Sequence, residues 1–234
     1  MKENTKSKFS KKIDSNNMKS LIAYIFKGED LLSHVLFFIV LFIFFKFLLL
    51  PFIGFMMGTQ YPMTVIVSGS MEQDLNSQRV CGNTISSNST NYWDICGDYY
   101  EQNFNISKSD FSSFPYDSGL NRGDVIIVYG RDSKKIKQGD VVLFKGQDKV
   151  TLEDNSQESL FYLRYGPIIH RVVDVELNSS GEFFTTKGDN NPSIMDKEID
   201  IPSEDILGVA VFRIPYLGLI NYYFYEFIIA PFRG

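Results

Sequence analysis

The chain has 234 residues, of which 44% are apolar and 22% charged. That length and balance give one domain with a core plus a small appendage, and exclude a disordered tail or a multi-span transporter. The net charge of −5 is unevenly spread: seven lysines stand against four acids in the first thirty residues, and fifteen cations against twenty-four acids after Lys46. An acidic folded part excludes nucleic acid as a partner, which would need the opposite sign.

Residues 1–30 read as a basic segment carrying Lys2, Lys6, Lys8, Lys11, Lys12, Lys19 and Lys27. From Leu31 to Met57 the chain is almost wholly apolar, and about 20 such residues cross the hydrocarbon core as a helix. The run is too long and too late for a cleaved signal peptide, and no small-residue cleavage pattern follows it. The basic flank places the N-terminus in the cytosol and the rest outside. Lys46 interrupts the span and is expected to snorkel to the outer interface, while His34 belongs to the cytosolic end.

Residues 60–215 read as a compact outer domain. Short runs rich in β-branched residues, at Met63–Val67, Val125–Tyr129, Val141–Phe144, Ile168–Val175, Glu182–Thr186 and Ile206–Phe212, alternate with turn signals such as Arg122-Gly123-Asp124 and Gln138-Gly139-Asp140. This pattern predicts a mainly β, antiparallel domain, with no run of the length and period of an amphipathic helix. Two stretches interrupt it. Residues 76–121 form an Asn-, Ser-, Asp- and Tyr-rich insertion, and residues 146–166 are polar and acidic. The insertion holds both cysteines, Cys81 and Cys96, and an outward compartment favours their pairing as a disulfide. Sequons stand at Asn88, Asn105 and Asn178. Residues 216–234 are aromatic and apolar but carry Asn221 and Glu226, which suits a helix lying in the interface better than a second crossing.

The chemistry is narrowed by what the chain lacks. Two histidines and two cysteines form no cluster of metal-ligand spacing, no Gly-rich loop leads from a strand into a helix, and neither metal nor cofactor is expected. Asp189 and Asp196 pair carboxylates without the aromatic pattern of a sugar site. Nucleophilic serine chemistry remains. With His34 in the anchor, His170 is the only histidine left to the outer domain, and imidazole is the usual base for a serine because it titrates near neutrality. Ser70 follows a β-run beside Gly69, about a dozen residues past the anchor, so it is expected to work near the membrane surface. Asp189 or Asp196 could orient the imidazole. Taken singly, Ser68-Gly69-Ser70 also reads as a plain turn and His170 as a structural strand residue.

As an ordered set, Ser68-Gly69-Ser70-Met71-Glu72, Gly139-Asp140-Val141-Val142, Ile169-His170-Arg171-Val172 and Lys187-Gly188-Asp189-Asn190-Asn191 resemble four boxes of the signal peptidase I family. Histidine in the third box resembles the archaeal and endoplasmic-reticulum branch rather than the bacterial one. The resemblance implies a compact antiparallel β domain tethered by an N-terminal transmembrane helix, with a hydrophobic C-terminal helix. It implies a membrane-bound serine endopeptidase that removes N-terminal signal peptides from secretory preproteins, each bound as an extended strand with small side chains near the cut. Ser70 would be the nucleophile, His170 the base, Asp196 its orienting carboxylate, Asp189 a support, and Ser68 an oxyanion donor. The implied partners are signal peptides, the lipid bilayer and other membrane subunits. The implied location is a cell or endoplasmic-reticulum membrane, with the catalytic domain on the extracytoplasmic side.

Three features depart from the family pattern. Gln73 stands where the family usually has Pro, Asp189 and Asp196 are one residue further apart than usual, and the 76–121 insertion has no counterpart. Two alternatives stay open at this level: an inactive relative that only binds peptides or subunits, and a Ser/Lys peptidase with Lys145, Lys149 or Lys187 as base.

Overall fold

The computed structural model describes residues 15–75, 79–85, 91–146, 167–179 and 181–219. The expected 216–234 helix therefore falls outside the described residues beyond Leu219. The chain divides into a helical unit, Met1–Ile53, and a β unit, Gly54–Gly234.

In the first unit, α1 (Ser15–Lys27) and α2 (Leu31–Phe44) are joined by a short turn, and the Asp30 carboxylate caps α2 by accepting the Ser33 N–H at 3.2 Å. Helix α2 continues through a π-helical turn, Phe45–Leu49, into α3 (Leu50–Met57). Together they make one apolar helical run of 27 residues, long enough to cross a bilayer. Lys46 lies in the π turn with its ammonium 5.8 and 5.6 Å from the ring centres of Phe42 and Phe47.

The β unit is built on a seven-stranded antiparallel sheet in the order β1-β4-β9-β5-β6-β7-β8. The strands are β1 (Met63–Val65), β4 (Val125–Tyr129), β5 (Val141–Lys145), β6 (Pro167–Asn178), β7 (Gly181–Lys187), β8 (Ile201–Pro202) and β9 (Ile206–Ile214). Strand β5 is central and covered on both faces. Because successive side chains alternate, Val141 and Leu143 join a core with Ile66, Met71, Leu120 and Ile126, while Val142 and Phe144 join one with Val172, Phe184 and Ile201. The mainly antiparallel β architecture read from the sequence is the one observed.

The insertion differs from the expectation of a domain without helices. It carries a hairpin, β2 (Arg79–Val80) and β3 (Asn83–Thr84), then α4 (Trp93–Phe104) and α5 (Lys108–Ser113). Several of its polar residues sit at helix ends. Asn91 and Asp94 exchange side-chain to backbone hydrogen bonds ahead of α4, Asn105 ends α4 in the left-handed region at φ 53°, and Ser107 and Asp110 form a capping box for α5. Between these caps Tyr92, Trp93, Tyr100 and Phe111 pack ring on ring. Cys81 and Cys96 are disulfide-bonded, which joins the hairpin turn to α4.

Candidate active site

Ser70 sits in a tight turn just beyond β1, where the Glu72 N–H donates to Gly69 O at 3.1 Å. His170 lies in β6 opposite Val142 of β5, only 3% exposed. The two are a hundred residues apart in sequence, yet His170 Nε2 stands 2.9 Å from Ser70 Oγ. The other ring nitrogen, Nδ1, is hydrogen-bonded to the Glu198 carboxylate. Glu198 is fully buried, and its second oxygen accepts the Met195 N–H at 2.7 Å. A carboxylate that accepts from Nδ1 leaves Nε2 free to accept the serine proton, which is the tautomer a serine base needs.

The loop after β7 backs this line of residues. A Cβ on Gly188 would lie 2.8 Å from His170 Nε2, so only glycine lets the loop come this close to the imidazole. The Asn190 N–H donates to Ser70 O at 2.7 Å and its side-chain amide to Gly69 O at 3.1 Å. The Ser68 and Ser70 hydroxyls are 3.0 Å apart. The Ser70 N–H has no acceptor among the described residues.

The structure therefore brings Ser68, Ser70 and His170 together and separates the two aspartates from the imidazole. Asp196, expected to orient His170, lies exposed at the start of a 3₁₀ turn, Asp196–Glu198, whose last residue turns inward in its place. Asp189 is fully buried but belongs to Arg171, which binds it through Nε at 2.9 Å and a second guanidinium nitrogen at 2.7 Å. Arg171 follows His170 in β6 and so points to the opposite side of the strand. Its remaining hydrogens go to the carbonyls of Pro115, Tyr116 and Gly139, and its Cζ lies 4.9 Å from the Phe111 ring centre. Gln73 and Tyr100 also donate to Asp189, at 2.9 and 3.3 Å. Burial and the Asp189 charge push the Tyr92 and Tyr100 hydroxyls well above the usual phenol range.

The lysines considered as bases are otherwise engaged. Lys145 is bound to Asp205 at 3.2 Å. Lys187 donates to the carbonyls of Gly188, Asp189 and Asn191 at 3.0, 3.3 and 2.8 Å. Burial pulls the Lys187 pKa down to about 8, against the upward influence of Asp189 and Glu198. Lys149 lies outside the described residues. Among the described residues no group of three or more potential ligands could hold a metal ion.

Glu198 was missed because the sequence offers acids at 196, 198 and 200, and a turn of three residues decides which one faces inward.

No family model matches the chain. It is similar to the signal peptidase complex catalytic subunit SEC11 of Plasmodium falciparum (isolate 3D7), 29% identical over 118 residues, 47% of this chain and 53% of that protein. It is similar to the catalytic subunit SEC11C of Homo sapiens, 27% identical over 109 residues, 44% of this chain and 48% of that protein. A third relative is the catalytic subunit SEC11 of Lodderomyces elongisporus, 27% identical over 106 residues, 43% of this chain and 54% of that protein. The chain spans about half the length of the curated relatives it matches. The resemblance to the signal peptidase I family carried by the four boxes holds, since the chain's curated relatives are catalytic subunits of signal peptidase complexes.

Proposed function

We propose that this chain is a membrane-tethered serine endopeptidase that removes signal peptides from exported preproteins. The observation that carries the reading is the hydrogen-bonded line Ser70, His170, Glu198. A serine hydroxyl is inert until a base takes its proton. His170 Nε2 accepts that proton as Ser70 Oγ attacks the scissile carbonyl, and Glu198 stabilises the imidazolium that results. The charge developing on the carbonyl oxygen is met by the Ser70 N–H and the Ser68 hydroxyl, a pair of donors of the oxyanion-hole kind. His170 then gives the proton to the departing amine as the C–N bond breaks. Water repeats the cycle on the acyl-enzyme, with its proton passing to His170 and then to Ser70 Oγ as the ester bond breaks.

The substrate class rests on the similarity to signal peptidase catalytic subunits and on the apolar helix of residues 31–57. Such a helix holds the enzyme at the bilayer in which a signal peptide is embedded. The basic flank orients the N-terminus to the cytosol and the β domain to the far side, of an endoplasmic-reticulum or cell membrane. The relatives' names, catalytic subunits of a complex, support other membrane subunits as partners. The engagement of Lys145 and Lys187 with other groups favours His170 over a lysine as base.

The test is cleavage of a reporter preprotein by the full chain in detergent or reconstituted membranes. Ser70→Ala and His170→Ala are expected to abolish turnover. Activity retained by either variant overturns the assignment, and binding without turnover by the wild type indicates a peptide-binding relative.

A further inference from the structure

The insertion holds an aromatic, disulfide-closed lobe, and the lobe reaches the catalytic loop at several points. The Tyr92 hydroxyl donates to Asp189 O at 2.6 Å, and the Ile194 N–H donates to the Tyr99 hydroxyl at 3.2 Å. A Cβ on Gly82 would lie 2.7 Å from Pro192, so the hairpin turn itself is pressed against the loop. The decisive contact is the Cys81 N–H, which donates to Asn190 Oδ1 at 3.0 Å.

Asn190 is thereby used at both ends. Its carbonyl accepts from the lobe, its side-chain amide donates to Gly69 O at 3.1 Å, and its backbone N–H donates to Ser70 O at 2.7 Å. The Asn190 side chain thus links the lobe directly to the backbone of the turn that carries Ser70. Cys81 is itself held in an unusual backbone. It and Gly82 form a two-residue hairpin turn with φ of 52° and 76°, the left-handed pairing that suits Asn-Gly far better than Cys-Gly. A non-glycine residue stays in that region only where its surroundings over-determine it. Here those surroundings are the bond to Cys96 on α4 and the hydrogen bond to Asn190.

We propose that the bridged lobe positions the nucleophile through Asn190, so that turnover depends on the Cys81–Cys96 bond. This inference rests on the assignment of Ser70 as nucleophile. Asn190 is a positioning residue: it sets where Ser70 Oγ stands relative to His170 Nε2, and does not meet the reacting atoms. Loss of either end of the Asn190 bridge lets the turn drift, and a misplacement of about 1 Å can cost on the order of 100-fold in rate.

The experiment compares full-length wild type, Asn190→Asp, Cys81→Ser/Cys96→Ser and the combination of the two on a reporter preprotein. Asn190→Asp keeps the acceptor for Cys81 and removes the donor to Gly69. Both single changes are expected to lower kcat by about 10- to 100-fold with little change in KM, and the combination is expected to cost no more than the larger of them. Losses that multiply, or full kcat in either variant while Ser70→Ala is dead, overturn the proposal. Should the bridge-less variant fail to fold in a thermal melt, folded wild type whose Cys81–Cys96 bond is reduced just before the assay replaces it in the same cycle, with the same expected and overturning results. Activity surviving Ser70→Ala overturns instead the assignment of the nucleophile.

Discussion

In the proposed mechanism a proton on His170 Nδ1 leaves Nε2 as the acceptor for Ser70, so the carboxylate that holds that proton carries a large share of the expected rate. Glu198→Gln keeps the shape of the side chain but offers His170 an amide in place of a carboxylate. By analogy with the aspartate of serine protease triads, kcat is expected to fall about 10³- to 10⁴-fold. Asp196→Asn, on the exposed start of the same turn, is expected to leave preprotein cleavage near wild type. The reverse ranking in a cleavage assay would return the role to Asp196. Ser68→Ala removes the hydroxyl 3.0 Å from Ser70 Oγ and is expected to lower kcat by about 100-fold or more, as for the loss of one oxyanion donor. An unchanged kcat in that variant rules out the oxyanion role. Ser70 and His170 were legible in the sequence for a simple reason: once His34 is assigned to the anchor, the outer domain has one candidate base. Glu198 was not, because facing direction within a three-residue turn is set by packing rather than by spacing.

At the scale of elements, short runs rich in β-branched residues between turn signals marked the strands closely. The run Val125–Tyr129 is β4 itself, and the runs at Val141, Ile168, Glu182 and Ile206 each fall within a residue or a few of β5, β6, β7 and β9. Helices α4 and α5 escaped the same reading because what stabilises them is not periodic apolarity. They rest on Asx and Ser caps, on a disulfide and on a ring cluster, contacts that no helical apolar period announces. The buried Arg171–Asp189 pair joins that lobe to β6 and to the loop after β7. Arg171→Met strands a buried carboxylate, and breaking one half of such a pair costs about 3–5 kcal/mol, to be read as a lowered Tm or denaturant midpoint. A change within experimental error would mean that the pair contributes no net stability. Lys187 gives the same region a pH dependence. With its folded pKa pulled down by burial to about 8 from the ordinary lysine value of 10.5, the folded state binds fewer protons than the unfolded state between those limits. Stability therefore rises with pH across that window. Wild type is expected to gain stability relative to Lys187→Met between about pH 8 and 10.5, and a flat or falling difference in paired melts would contradict the burial-lowered pKa.

At the scale of the whole molecule, charge and hydropathy specify an arrangement that neither residue nor element determines alone. The 27-residue apolar run can be threaded through a bilayer in either direction, and its own side chains are nearly indifferent to which. The choice falls to the flanks. Lysines dominate the first thirty residues, and the proposed orientation therefore keeps the N-terminus on the cytosolic side. The Asn105 sequon provides an internal reporter for this, because Asn105 is exposed at the end of α4 in the β unit. During synthesis into microsomes the wild-type chain is expected to be glycosylated at Asn105, and Asn105→Gln to lose that mass. Replacing Lys2, Lys6, Lys8, Lys11, Lys12 and Lys19 with glutamate reverses the sign of the flank without touching the apolar run. Glycosylation at Asn105 should then fall sharply, since part of the population inserts with the β domain facing the cytosol. Preprotein cleavage on the lumenal side should fall in the same proportion, because the inverted molecules keep an intact site on the wrong face. Glycosylation that persists in the charge-reversed chain would show that something other than the basic flank directs insertion.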